Sequence, residues 1–173
     1  MNLDKAIYPM SVAARASGWE LNTMRSYFKR GIFRYMEVDA AAESAGKATL
    51  LSARSVIGLA IARKLFDLGV SARDAFEASY PFTDFGSSGS IIGGVSVPNG
   101  PEREPGHLFD ETHFITILRW RQDGYVHIEA LSKKPQEVDR NHLYDIFTEP
   151  VVLCPINGIY HRALEALSLE EAA

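Results

Sequence analysis

Cysteine is nearly absent, with Cys154 the only one among 173 residues. A single thiol excludes an internal disulfide framework and any metal cluster built on cysteine alone. Long apolar runs are absent too. The longest, such as Val56–Ala62, falls far short of the roughly 20 residues that a bilayer-spanning helix needs. Residues 1–10 carry Asp4 and Lys5 and no apolar core, so no secretory leader is expected. No tripeptide repeat is visible, and a hydrophobic content of 46% is ordinary, which excludes collagen-like and long disordered chains. These absences lead to the expectation of a soluble, cytoplasmic protein.

A surplus of positive charge is missing as well: 18 Lys and Arg face 22 Asp and Glu, for a net charge of -4. The average hides a division. Residues 1–80 carry a net +3 and residues 81–173 a net -7, and within residues 1–36 six basic residues face two acidic ones. Arg15, Arg25, Lys29, Arg30 and Arg34 lie close together there. A chain basic at one end and acidic at the other points to a division of labour between its parts.

The basic end also carries helical spacing. Ser11–Ser17 reads as a short helix with Ser11 as N-cap and Gly18 as terminator. Leu21, Met24 and Phe28 give one apolar face to a second helix, Leu21–Lys29, which Gly31 stops. Two short helices joined by about three residues predict a helix-turn-helix. Ile32–Val38 and Lys47–Leu51 read as a β-hairpin around an eight-residue tip, Asp39–Gly46. A third helix is expected from an N-cap at Ser52 to Leu68, with Ile57, Ile61, Leu65 and Leu68 on its stripe. A fourth starts at Ser71 and Asp74 and must end by Pro81.

Residues 84–106 hold six Gly, three Pro and four Ser in 23 positions, and this reads as an irregular connection in which Ile91, Ile92, Val95 and Val97 can pair locally. Beyond it, Thr112–Arg121 and Tyr125–Leu131 read as strands about a two-residue turn, Asp123-Gly124. That register sets Trp120 opposite His127 and Leu118 opposite Glu129, with Phe114, Leu118, Trp120 and Leu131 on one face and Ile115, Ile117, Val126 and Ile128 on the other. Val151–Cys154 is a third strand. Ile159–Leu169 is an amphipathic helix with Ile159, Ala163, Leu164 and Leu167 inward. The fold class is α+β: a winged helix-turn-helix over residues 1–80, a connection over 81–106, and a small antiparallel sheet with a C-terminal helix over 107–173.

The second helix of a helix-turn-helix fits the major groove, where Asn, Thr, Arg and Ser can hydrogen-bond to base edges. Asn22, Thr23, Arg25 and Ser26 are therefore the candidate groove contacts. Arg15, Tyr27, Lys29, Arg30 and Arg34 are the candidate phosphate contacts, and Lys47 is the wing's. Competing readings stay open: a solvated face for Arg25, Lys29 and Arg30, a salt bridge from Arg15 to Glu20, and packing beneath the wing for Tyr27.

The stretch 10–33, MSVAARASGWELNTMRSYFKRGIF, resembles the N-terminal winged helix of MerR-family transcription regulators. Ala14, Arg15, Gly18, Thr23, Met24, Arg25, Tyr27 and Gly31 match that family's motif without a gap. Leu50-Leu51-Ser52 and the run from Leu65 to Ser71 extend the similarity over residues 8–80, just under half the chain. Ser26 departs from the family's usual aromatic, Ala48 from its wing arginine, and no long coiled-coil helix or metal-sensing cysteine set follows. The resemblance implies a sequence-specific reader of double-stranded DNA, acting as a homodimer and meeting RNA polymerase as a transcription regulator. An excisionase-like recombination factor and a winged-helix protein-interaction module are the alternatives.

The acidic half would supply the dimer through Phe114, Leu118, Trp120, Ile128, Leu164 and Leu167. No enzyme, cofactor or metal is expected. His107, His113, His127, His142 and His161 show no ligand spacing, Cys154 reads as a buried small hydrophobe, and the glycines of residues 86–94 precede no capped helix that would bind phosphate.

Overall fold

A computed structural model describes residues 2–40, 49–86, 91–92, 95–96, 101–134 and 151–171. The chain divides into two compact units, one formed by Met1–Ser79 with Ile159–Ala173 and the other by Tyr80–Gly158. The class is mixed α+β with antiparallel sheets and a C-terminal helix. That last helix belongs to the first unit, not to the C-terminal body in which the sequence placed it.

In the first unit, strand β1 (Ala6–Pro9) pairs antiparallel with β2 (Leu50–Ser52). Helix α1 (Met10–Ser17) follows β1 at once and has no side-chain cap. Ser11 lies inside the helix, because Pro9, paired with Leu50, already sets where it starts. Helix α2 (Leu21–Lys29) comes after the three-residue turn Gly18-Trp19-Glu20. Its end is a Schellman motif: Ile32 N–H donates to the Tyr27 carbonyl at 2.9 Å and Gly31 N–H to that of Phe28 at 3.1 Å. The motif needs a left-handed residue, and Gly31 supplies it at φ 66°.

The expected hairpin over residues 32–51 does not form as two strands. Ile32–Val38 is not a strand, and a single antiparallel bridge, Ala40 to Leu50, closes a loop whose residues 41–48 lie outside the described ones. Two demands outweigh strand propensity here. Phe33 and Met36 are drawn into the core, and Asp39 gathers the backbone. Its carboxylate accepts from Met36 N–H and Ser52 N–H, both at 2.8 Å, and from the Ser55 hydroxyl at 2.7 Å.

Helix α3 (Ala53–Asp67) starts at the expected cap, with Ser52 Oγ accepting from Ser55 N–H at 3.1 Å. It is apolar nearly all round and buried nearly all round, from Ser55 through Ala62 and again at Leu65. Leu68, expected inward, lies past its end and is exposed. Helix α4 (Ala72–Thr83) opens with Ser71 Oγ accepting from Asp74 N–H at 3.2 Å and passes through Pro81 instead of stopping there. Around its end the carbonyls of Pro81, Phe82 and Phe85 accept from the Arg103 guanidinium at 2.6, 2.9 and 2.8 Å. Helix α5 (Asn157–Glu171) buries Ile159, Ala163 and Leu167.

The second unit holds a short pair, β3 (Ile91–Ile92) with β4 (Val95–Ser96), and a three-stranded antiparallel sheet. The sheet's strands are β5 (Phe114–Arg121), β6 (Val126–Ser132) and β7 (Val151–Pro155), in the order β6-β5-β7. The β5–β6 register is one residue away from the expected one: Trp120 pairs with Val126 and Leu118 with Ile128. The turn is the cause. Arg121 N–H donates to the Tyr125 carbonyl and Gly124 N–H to that of Arg121, both at 2.9 Å, so three residues, not two, form the loop, with Gly124 left-handed at φ 87°.

A one-residue slip exchanges faces. Ile128 and Val126 join Leu118 and Trp120, while Leu131 moves to the face of Ile115 and Ile117. Leu118 is wholly buried, with Thr116, Ala130 and Cys154 beside it on the same face. The opposite face carries Arg119 and Glu129, brought to 2.9 Å with little exposure but without hydrogen-bond alignment.

Residues 81–106 are not merely a connection. Phe82, Arg103 and Gly106 are buried, and Gly106 N–H donates to the Phe82 carbonyl at 2.9 Å. Arg103 lies 4.9 Å from the Phe82 ring and 5.9 Å from Phe109, and burial pushes its pKa down to about 10. Two residues assigned to dimerisation, Leu118 and Leu167, are spent inside their own chain. Among the described residues no helix is long and apolar enough to cross a membrane.

Asp39 yields a direct test. Asp39→Ala leaves donors at two backbone positions and one hydroxyl without their acceptor, and we expect a loss of about 2–3 kcal/mol in urea unfolding, with Asp39→Asn losing less.

Candidate nucleic-acid interface

The turn between α1 and α2 is built around Trp19. The residue is 4% exposed, and its indole N–H donates to the Leu59 carbonyl on α3 at 2.9 Å. Tyr27, Phe33 and Phe66 surround it at 5.6, 5.2 and 5.3 Å between ring centroids. Met24 is fully buried on the inner side of α2. With Trp19, Met24 and Tyr27 turned inward, the other side of α2 faces solvent. It carries Asn22, Arg25, Ser26 and Lys29, all exposed, at positions i, i+3, i+4 and i+7 of one stripe.

Glu20 caps α2. Its carboxylate accepts from Asn22 N–H at 3.0 Å and Thr23 N–H at 2.7 Å. These two backbone bonds, with the nearby Arg25 charge adding to them, hold its pKa below the ordinary glutamate range. Two of the helix's amides are thereby occupied, so a phosphate would find side chains there before backbone.

Of the sequence-derived candidates, Asn22, Arg25, Ser26 and Lys29 share the exposed stripe. Arg30 and Arg34 lie exposed just beyond it, with Arg34 at 3.7 Å from Glu77. Thr23 is half-buried and its amide is taken by Glu20. Tyr27 is packed at 5.6 Å from Trp19 and 5.0 Å from Phe33. Arg15 is exposed and paired at 2.7 Å with Glu170 of α5, not with Glu20. Lys47 lies outside the described residues.

Arg15 also borders a groove of about 470 Å³ with Gly18, Arg63, Lys64, Ile159 and Arg162. There Arg63 is tied to Asp67 at 2.8 Å and lies over the Trp19 ring at 5.3 Å. The sequence reasoning missed the anchoring role of Trp19 and the capping by Glu20. A tryptophan directly after the turn glycine, and an acceptor two and three residues before Asn22 and Thr23, were the signals that pointed to them.

No group of His, Cys, Asp and Glu among the described residues can hold a metal ion. His113 pairs with Asp110 at 2.6 Å on the surface. His127 touches the Tyr125 hydroxyl, and burial followed by the Arg119 charge lowers its pKa. His142 is outside the described residues. Cys154 is buried on β7. No protein-family model matches the sequence, and no curated protein is similar to it.

The cap has a pH consequence. Glu20 has its pKa depressed in the folded protein, so its contribution is present above the ordinary glutamate range and is lost as pH falls through the folded value. Acidification should reduce helicity and thermal stability more in the native chain than in Glu20→Gln, as followed by circular dichroism.

Proposed function

We propose that this chain binds double-stranded DNA through α2 and serves as a cytoplasmic transcription regulator. The observation that supports the reading most is the stripe Asn22, Arg25, Ser26 and Lys29, exposed on the second helix of a helix-turn-helix whose opposite side is pinned by Trp19 and Met24. These residue types can meet base edges at Asn22, Arg25 and Ser26 and phosphates at Lys29, and Arg30 and Arg34 extend the cationic surface. The resemblance of residues 8–80 to MerR-family heads points the same way.

A single helix-turn-helix covers one half-site, so a homodimer reading two half-sites is part of the proposal, with RNA polymerase as the further partner of a regulator. With Leu118 and Leu167 buried inside the chain, a dimer has Phe114, Trp120, Ile128 and Leu164 left from the proposed set. Sedimentation of a monomer at micromolar concentration would exclude that dimer.

A salt titration on duplex DNA, using sites selected from a random-sequence pool, tests the reading. If Lys29, Arg30 and Arg34 each neutralise one phosphate, affinity should fall about fortyfold between roughly 50 and 200 mM salt. Arg25→Ala should weaken the selected site by about 1–3 kcal/mol and erase its preference over unrelated duplex. Binding that is absent or indifferent to salt would overturn the proposal.

A further inference from the structure

Phe28 and Tyr35 form a ring pair unlike its neighbours. In the surrounding cluster Trp19 with Tyr27 at 82°, Tyr27 with Phe33 at 70° and Phe28 with Phe33 at 81° meet edge to face, while Trp19 with Phe66 at 44° and Phe33 with Phe76 at 32° are tilted. Phe28 and Tyr35 instead lie nearly parallel, at 17° and 4.5 Å between centroids. The Schellman turn at Gly31 brings the chain back so that Phe33 enters the core and Tyr35 settles on Phe28. Phe28 is half-buried against Phe33, while Tyr35 is 42% exposed. The result is a partly exposed aromatic ring backed by a half-buried one that packs edge-on against the buried Phe33. Exposed cations flank the pair in sequence, Lys29 and Arg30 directly after Phe28 and Arg34 directly before Tyr35. The nearby acids are Glu37, which is exposed, and Glu77, already within 3.7 Å of Arg34.

We infer that Tyr35, supported by Phe28, is a stacking platform for an unpaired base of DNA adjoining the duplex that α2 contacts. The inference rests on the reading of α2 as a DNA-contacting helix. A partly exposed ring already stacked on one side suits a planar ring as a further stacking partner. The surrounding cations suit a polyanion. Bases inside a paired stack have both faces covered by their neighbours, so the base that Tyr35 receives is one released from the stack by a bulge or a kink. Stacking of this kind tolerates any base, because every base has a π face. Tyr35 therefore adds affinity for a DNA shape, while Asn22, Arg25 and Ser26 read sequence.

The test uses the full chain and two duplexes of the same sequence, one fully paired and one with a single-nucleotide bulge carrying 2-aminopurine. The bulged duplex should bind about tenfold more tightly, with quenched 2-aminopurine fluorescence, and Tyr35→Phe should keep both effects. Tyr35→Leu, which still covers Phe28 but offers no π face, should lose the preference and the quenching while its affinity for paired duplex stays within about twofold of the native value. Equal affinity of the native chain for both duplexes, or a preference that survives in Tyr35→Leu, overturns the platform. A single strand that outcompetes both duplexes overturns its placement beside a duplex. Salt-dependent binding of the paired duplex without any gain from the bulge leaves the reading of α2 standing and defeats the platform alone. No binding of either duplex defeats both.

Discussion

The first unit depends on one hydrogen bond and the ring that makes it. A buried indole N–H must find an acceptor, and Trp19 finds the Leu59 carbonyl in the middle of α3. Because Trp19 is the central residue of the turn between α1 and α2, the bond fixes that turn against the most buried helix of the unit. The rotation of α2 follows: Met24 and Tyr27 go inward with Trp19, and the stripe of Asn22, Arg25, Ser26 and Lys29 goes outward. Truncating a buried tryptophan costs about 3–5 kcal/mol in general, and here the loss would also free the turn that aims the stripe. Stability and the presentation of polar residues are thus linked through one side chain that carries no charge.

Where regular structure is scarce, charged groups shielded from solvent in part or in full order the backbone. Asp39 collects two N–H donors and a hydroxyl at the base of the loop before β2. Arg103 does the opposite in the second unit, donating to the carbonyls of Pro81, Phe82, Glu104 and Phe85. The Arg103 site has the sign that a helix end requires, since the last carbonyls of α4 are unsatisfied and carry partial negative charge. Gly106 N–H shares the Phe82 carbonyl with it, so the end of α4 is closed from two sides.

Helices were the legible part of the sequence. The spacing of Leu21, Met24 and Phe28 and the caps at Ser52 and Ser71 are local signals, and each element they mark is present. The outward stripe was legible for the same reason, since it is the complement of the apolar face. Where the structure departs from the expected elements, contacts distant in sequence are the usual cause, and a local turn is the cause at β5–β6. Strand β1 exists because Leu50–Ser52 is there to pair with it. Ile32–Val38 has the composition of a strand, but Phe33 and Met36 are needed in the core and Asp39 pulls the chain toward Ser52 and Ser55. The β5–β6 register turned on whether Gly124 closes a two- or a three-residue loop, and composition does not distinguish the two. Helix α5 was placed correctly along the chain and assigned to the wrong unit, because an amphipathic pattern records that a face is buried and not what buries it.

The net charge of -4 is a poor guide to what the surface attracts, because fields between exposed charges fade over about 8–10 Å at physiological salt. Local pairing decides more. In the basic segment Glu20 is held by two amides and Arg15 is paired with Glu170. Among the described residues no ion pair engages Arg25, Lys29 or Arg30. Arg15 remains recruitable, since a surface ion pair contributes only about 0–1 kcal/mol and its side chain is 61% exposed. The pairing with Glu170 therefore takes little from Arg15 as a cation. The cationic character that matters is concentrated on the outward face of α2 and the residues just after it, at Arg25, Lys29, Arg30 and Arg34, where an average over 173 residues cannot register it.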